Sequence, residues 1–223
     1  MPTQFTSPTT RSESGVLSQN KVLRQTYTLL AMTLLFSALM AGVSLAIAPP
    51  PMLAMGSSLV GIVILMFVLP RFQDQAAGIG IVFLATGMLG FGLGPLLNAY
   101  LSLPGGSTIV ATAMGGTGAI FLGLSAYVLT TKRDFSFMGG FLMVGLMVIF
   151  GAVILSLFVQ MPALQLAISG AMVLLMSGFI LFDTSRIING GETNYIRATD
   201  SLFINIFNLF TSLLHLLGVM GDD

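Results

Sequence analysis

TYTLLAMTLLFSALMAGVSLAIA, residues 26–48, runs without a charged side chain. Roughly 20 apolar residues coiled as a helix cross the hydrocarbon of a bilayer, so this stretch reads as a membrane span. Pro49, Pro50 and Pro51 end it, because proline has no N–H to continue the helical ladder. Working outward, further uncharged spans are expected at 53–69, 76–101, 108–130, 137–159 and 164–183. The last stretch, 201–220, is apolar but interrupted by Asn205, Asn208, Thr211, Ser212 and His215, and is taken as a seventh span. The fold class expected is therefore all-α: a polytopic transmembrane bundle of seven helices. Residues 1–24, polar and Ser/Thr-rich, are expected to be a flexible cytoplasmic tail, and residues 25–223 the transmembrane domain.

Composition agrees. Of 223 residues 55% are hydrophobic and 7% charged, against roughly 45–50% and 25% in soluble domains. Eight Lys and Arg balance eight Asp and Glu, which excludes nucleic-acid binding through bulk charge. With no Cys and one His, disulfides, thiolate catalysis and zinc sites drop out. No Ser/His/Asp set or acid pair has convincing spacing, so no enzyme is expected.

Lys and Arg sort completely to one side of the expected spans: Arg11, Lys21 and Arg24, then Arg71, then Lys132 and Arg133, then Arg186 and Arg197. Positively charged loops resist translocation, which places the amino terminus in the cytoplasm and the carboxyl terminus outside. Gly90 and Gly94, four apart on the third span, suit close helix packing, and Gly94-Pro95 should kink that helix.

Polar groups in hydrocarbon are costly, so their placement is informative. At 100° per residue, Ser201, Asn205, Asn208, Ser212 and His215 form one stripe on the seventh span. That stripe must face protein or water, which puts the helix at the centre of the bundle. It serves either as interhelical hydrogen-bonding glue or as the lining of an ion path; His215 alone reads as a satisfied core histidine. Asp183, closing the sixth span, is the carboxylate nearest hydrocarbon. It is either a latch paired with Arg186, Arg71 or Arg197, or a cation ligand, or an interfacial charge snorkelling to water. Lys132, Arg133, Asp134, Glu192 and Asp200 read as ordinary solvated loop charges.

Several segments together resemble the Bax inhibitor-1 family: Phe182-Asp183-Thr184-Ser185-Arg186-Ile187-Ile188, Gly190 through Ala198, Asn208-Leu209-Phe210, Lys21 through Arg24, Gly94 through Asn98 and Ser125 through Thr131. The resemblance runs from about Lys21 to the end. It implies a seven-helix bundle in the bacterial inner membrane with the seventh helix central. It also implies one of two functions: binding and restraining the membrane-bound protease FtsH, which is the reading expected, or a pH-sensitive calcium leak; a structural membrane protein with neither activity is the third alternative. In calcium-leaking relatives an aspartate on helix six pairs with a second on helix seven, and an arginine accompanies them. By this resemblance Asp183 holds the first position and Asn205 the second, so the acid pair is incomplete and Asp200, one turn and a residue away, compensates only partly; Arg71 takes the arginine's place on a loosely matched segment. No cofactor is implied beyond calcium as a transported or bound ion at Asp183. The lipid bilayer and FtsH are the partners implied, FtsH pulling on the flexible tail, and no oligomeric state is read from the residues.

Overall fold

The structure, a computed structural model, describes residues 8–159 and 161–220. Seven helices among them are long and apolar enough to cross a membrane. They are α1 (Pro8–Ile47), α2 (Pro51–Phe72), α3 (Ala77–Leu101), α4 (Gly106–Thr131), α5 (Gly139–Phe158), α6 (Pro162–Ile188) and α7 (Tyr195–Met220). No strand occurs in the described residues.

Proline marks several helix starts and bends. Pro51 and Pro162 open α2 and α6, where an N–H would find no partner. Pro70 lies inside α2, and the turn before it, Ile64–Val68, widens to a π-helix, relieving the clash of the proline ring with the backbone one turn earlier. In α3, Pro95 removes one rung of the ladder. The helix breaks at Leu93, whose N–H bonds Gly90 O at 3.0 Å, and resumes at Gly94, which is the expected kink.

Three boundaries differ from expectation. Pro8 begins α1, so residues 8–24 are helix rather than flexible tail; of the helix-breaking residues, that segment holds only Gly15 after its first position. The remainder of the expected tail, 1–7, lies outside the described residues. Helix α6 continues past Asp183 to Ile188, and α7 starts at Tyr195 instead of 201. The second start is explained by Asn194, whose side-chain oxygen accepts the N–H groups of Ile196 at 2.9 Å and Arg197 at 3.2 Å as an N-cap.

Helix α7 is central: it packs against α6, α4, α1 and α3, while α2 lies outside on α3 and α5 outside on α6. Leu202, Leu209 and Leu214 of α7 are fully buried, and Asn205 is buried as well. The periphery turns large apolar side chains outward, such as Phe141 and Leu157 on α5 and Met55 on α2. Such a surface belongs in hydrocarbon, where intrahelical bonds alone satisfy the backbone. Between α1 and α3 the backbones nearly touch: a methyl group added at Gly90 would meet Ser37 O at 2.1 Å.

Candidate functional site

Asp183 lies just over one turn before the end of α6 and is only 7% exposed. A carboxylate so placed is costly unless hydrogen-bonded. Its bonds come from two successive turns of α7: Ser201 Oγ donates to Oδ2 at 2.5 Å and Asn205 Nδ2 donates to the same oxygen at 2.7 Å. The spacing of four puts both donors on one face of the helix. Oδ1 receives no hydrogen bond from the described residues.

Among the described residues no arginine lies within ion-pair distance of Asp183, which corrects the latch expectation. Arg71 turns back on its own helix and donates to Phe67 O at 2.9 Å. Among the described residues both ion pairs end on Glu192, whose Oε2 lies 3.6 Å from Arg186 Nη2 and 3.7 Å from Arg197 Nε. Arg186 also donates to Gly191 O at 3.0 Å and covers the Phe182 ring at 5.6 Å. The arginines follow Glu192 because it sits in the short turn between their two helices, whereas Asp183 Oδ2 already takes two donors from α7.

Glu192 is therefore no ordinary solvated loop charge. Its side chain is 12% exposed, and its Oε1 accepts the N–H groups of Thr193 and Asn194, each at 3.0 Å. Asn194 in turn donates to Gln73 O at 3.0 Å and Asp74 Oδ1 at 2.8 Å, clasping the start of α7 to the loop after α2. Asp200 is corrected too. It stands within α7, and its Oδ1 is buried with no hydrogen-bond partner among the described residues. Asp183, Arg186, Glu192, Arg197, Asp200 and Ser201 line one cavity of about 260 Å³, closed on the other side by Leu69, Pro70 and Gln73.

The rest of the α7 stripe goes elsewhere. Asn208 donates to Ile204 O on its own helix at 2.9 Å. His215 Nδ1 lies 2.8 Å from Ser169 Oγ, tying α7 to α6 near their other ends, as a satisfied core histidine would. Ser212 is half-buried on α7 between them. On the charged side of the bundle, Ser185 of α6 accepts the Phe135 N–H at 2.8 Å and the Asn189 amide at 3.2 Å, docking the α4–α5 loop. In that loop Ser136, through its side chain first and its backbone N–H second, holds the Asp134 carboxyl below its ordinary value.

Sequence reasoning found Asp183, Ser201 and Asn205, which the fold brings together, weighed Asp200 only as a partial substitute for a second acid, and missed Glu192 and Asn194. The signal for Asn194 was an Asn directly before an apolar helix start. For Asp200 it was the helical register with Ile204, one turn on. The residues that could hold a positively charged group are Asp183 and Asp200, with the Ser201 hydroxyl between them. No triad of His, Asp or Glu fit to hold a metal occurs among the described residues. The chemistry available is electrostatic: two carboxylates at the inner end of a cavity, two guanidiniums at its outer end.

Fold and site define a multi-pass helical membrane protein with a hydrogen-bonded carboxylate between its last two helices. The family model described as inhibitor of apoptosis-promoting Bax1 matches residues 19–222, and the chain belongs to this Bax inhibitor-1 family. It is 49% identical to the modulator of FtsH protease YccA of Escherichia coli K12 over 211 residues, 94% of this chain and 95% of that protein. It is also 49% identical to an uncharacterised membrane protein of Vibrio cholerae over 96% of each chain. An uncharacterised protein of Pseudomonas aeruginosa is 48% identical over 94% of this chain.

Proposed function

We propose that the protein binds the protease FtsH in the bacterial inner membrane and restrains it, with its Lys- and Arg-bearing end in the cytoplasm. The observation that carries this reading is the 49% identity to the E. coli modulator across 95% of that protein, a match in length as well as sequence. A closely packed bundle such as α1 against α3 resists extraction, so a protease that grips the amino-terminal end is occupied and other membrane substrates are spared. The test is co-purification of FtsH with the tagged chain from an E. coli strain lacking its own modulator, alongside the lifetime of an unstable membrane substrate. Recovered FtsH and a lengthened lifetime are expected. No association together with unchanged turnover overturns the reading, and undiminished binding after deletion of Pro2 to Gly15 overturns the part assigned to the amino-terminal end.

A second reading, a cation leak, is favoured by one observation: Asp183 and Asp200 line the same cavity. Calcium prefers six to eight oxygens, generally including several carboxylates, so a second acid matters. Calcium flux in proteoliposomes that changes in Asp183→Asn supports it, and no flux at any pH removes it.

A further inference from the structure

The cavity beside Asp183 is polar in two opposite senses. At its inner end Asp183 is 7% exposed, and among the described residues neither its Oδ1 nor the buried Asp200 Oδ1 has a hydrogen-bond partner. At its outer end the Arg186 and Arg197 side chains are 33% and 53% exposed. Their contacts with Glu192, at 3.6 and 3.7 Å, are longer than hydrogen bonds, and the Arg197 guanidinium donates none to the described residues. Donors for an anion are thus available outside, and acceptors for a cation inside.

A ligand complementary to both ends carries a compact ammonium and, a few bonds away, a phosphate. Three N–H donors on an ammonium answer carboxylate oxygens, and guanidiniums match phosphate oxygens in pairs. The location supplies such a group. Both carboxylates lie about 7 Å along their helices from the charged end, at 1.5 Å per residue, which is the depth of a headgroup layer. One turn before the lining residues Leu69 and Pro70 on α2, Met66 and Phe67 are 63% and 60% exposed, an apolar surface along which acyl chains can lie.

We propose that this cavity binds the headgroup of an aminophospholipid of the phosphatidylethanolamine type, amine inward against Asp183 and Asp200, phosphate outward against Arg186 and Arg197. The proposal is independent of the protease reading. A glycerol headgroup brings no positive charge to the two acids. A choline headgroup brings charge but no N–H, so the carboxylates keep no donor from it. Bound there, the lipid also fills the space that a cation leak would use.

The test is native mass spectrometry of the full chain with equal amounts of phosphatidylethanolamine, phosphatidylcholine and phosphatidylglycerol added in detergent. Retention of the ethanolamine lipid over either of the others by about tenfold is expected, the worth of one charge-assisted hydrogen bond. In Asp200→Asn the preference falls toward parity, while Arg197→Gln weakens ethanolamine and glycerol lipids alike. Lys132→Gln, outside the cavity, keeps the wild-type preference. Equal retention of all three lipids by the wild type overturns the proposal, and this comparison needs no variant to fold. So does a preference untouched in both cavity variants, or one lost equally in Lys132→Gln. Soluble O-phosphoethanolamine should displace the retained lipid. Stabilisation by that compound with no lipid retained reassigns the cavity to a free headgroup and overturns the lipid.

Discussion

Asn205 donates its side-chain amide to Asp183 Oδ2 at 2.7 Å, so the buried carboxylate of α6 is met from α7 by a neutral hydrogen-bond donor and not by a second acid. Two carboxylates at this distance repel and must share a proton, whereas an amide and a carboxylate attract whatever the pH. The carboxylate is held by Ser201 and Asn205 together, and the arginines are left to Glu192.

Replacing the amide tests this directly. Asn205→Ala leaves the buried oxygen with one donor and should destabilise the bundle by about 1–3 kcal/mol. Asn205→Asp should be nearly wild-type at acidic pH, where a shared proton restores the bond, and lose stability as pH rises. The midpoint of heat-induced loss of the monodisperse peak in size-exclusion chromatography, taken at pH 5 and pH 8, reads both. A pH-independent midpoint in Asn205→Asp contradicts the contact.

The close approach of α1 and α3 gives a second expectation. A methyl group at Gly90 meets the Ser37 carbonyl oxygen at 2.1 Å, and that oxygen belongs to backbone that cannot rotate away. Gly90→Ala should therefore separate the helices at a cost of about 1–3 kcal/mol, an overpacking penalty. Gly115→Ala on α4, where an added methyl meets nothing within 4 Å, should be neutral or slightly stabilising through helix propensity. The two variants compared under identical heating decide it, and equal behaviour would remove the packing account.

The bundle was legible in the sequence because hydrocarbon imposes a rule on long uncharged runs: 26–48 and its successors could be little else. The α7 stripe was legible for the same reason, since Ser201 and Asn205 have no place facing lipid. What escaped was the short turn between α6 and α7. Glu192 and Asp200 are charged residues near a helix end, and one-dimensional reading assigns such residues to water. Only the three-dimensional return of α7 beside α6 brings Arg186 and Arg197 to one carboxylate and turns Asp200 inward. Arg71 was misplaced because its position rested on a loosely matched segment, and its guanidinium had a nearer acceptor at Phe67 O.

Within that turn, two neighbouring residues should respond very differently. Glu192→Gln removes two ion pairs whose arginines are half-exposed, yet keeps an oxygen for the Thr193 and Asn194 N–H groups, so it should cost under about 1 kcal/mol. Asn194→Ala loses the cap of α7 and the clasp to Gln73 and Asp74 together. It should cost about 1–2 kcal/mol and raise hydrogen exchange in both the α2–α3 loop and the first turn of α7. Exchange rising in only one of the two segments would break the clasp.

Ser185 joins the end of α6 to the α4–α5 loop through one hydroxyl, and its removal should free that loop without unfolding the bundle. The Phe135 N–H loses its acceptor at 2.8 Å and the Asn189 amide its acceptor at 3.2 Å in Ser185→Ala. Proteolysis between Lys132 and Met138 should accelerate severalfold, consistent with loss of about 1 kcal/mol of local stability. The same loop carries the pH dependence. Asp134 is held below its ordinary value by Ser136, so its contribution is present above the unfolded carboxylate range near 4 and is lost as pH falls through the lower folded value. Protection of the loop in the wild type should thus decline below about pH 4. In Asp134→Asn that decline should flatten, and an unchanged acid profile there would assign the dependence to another group.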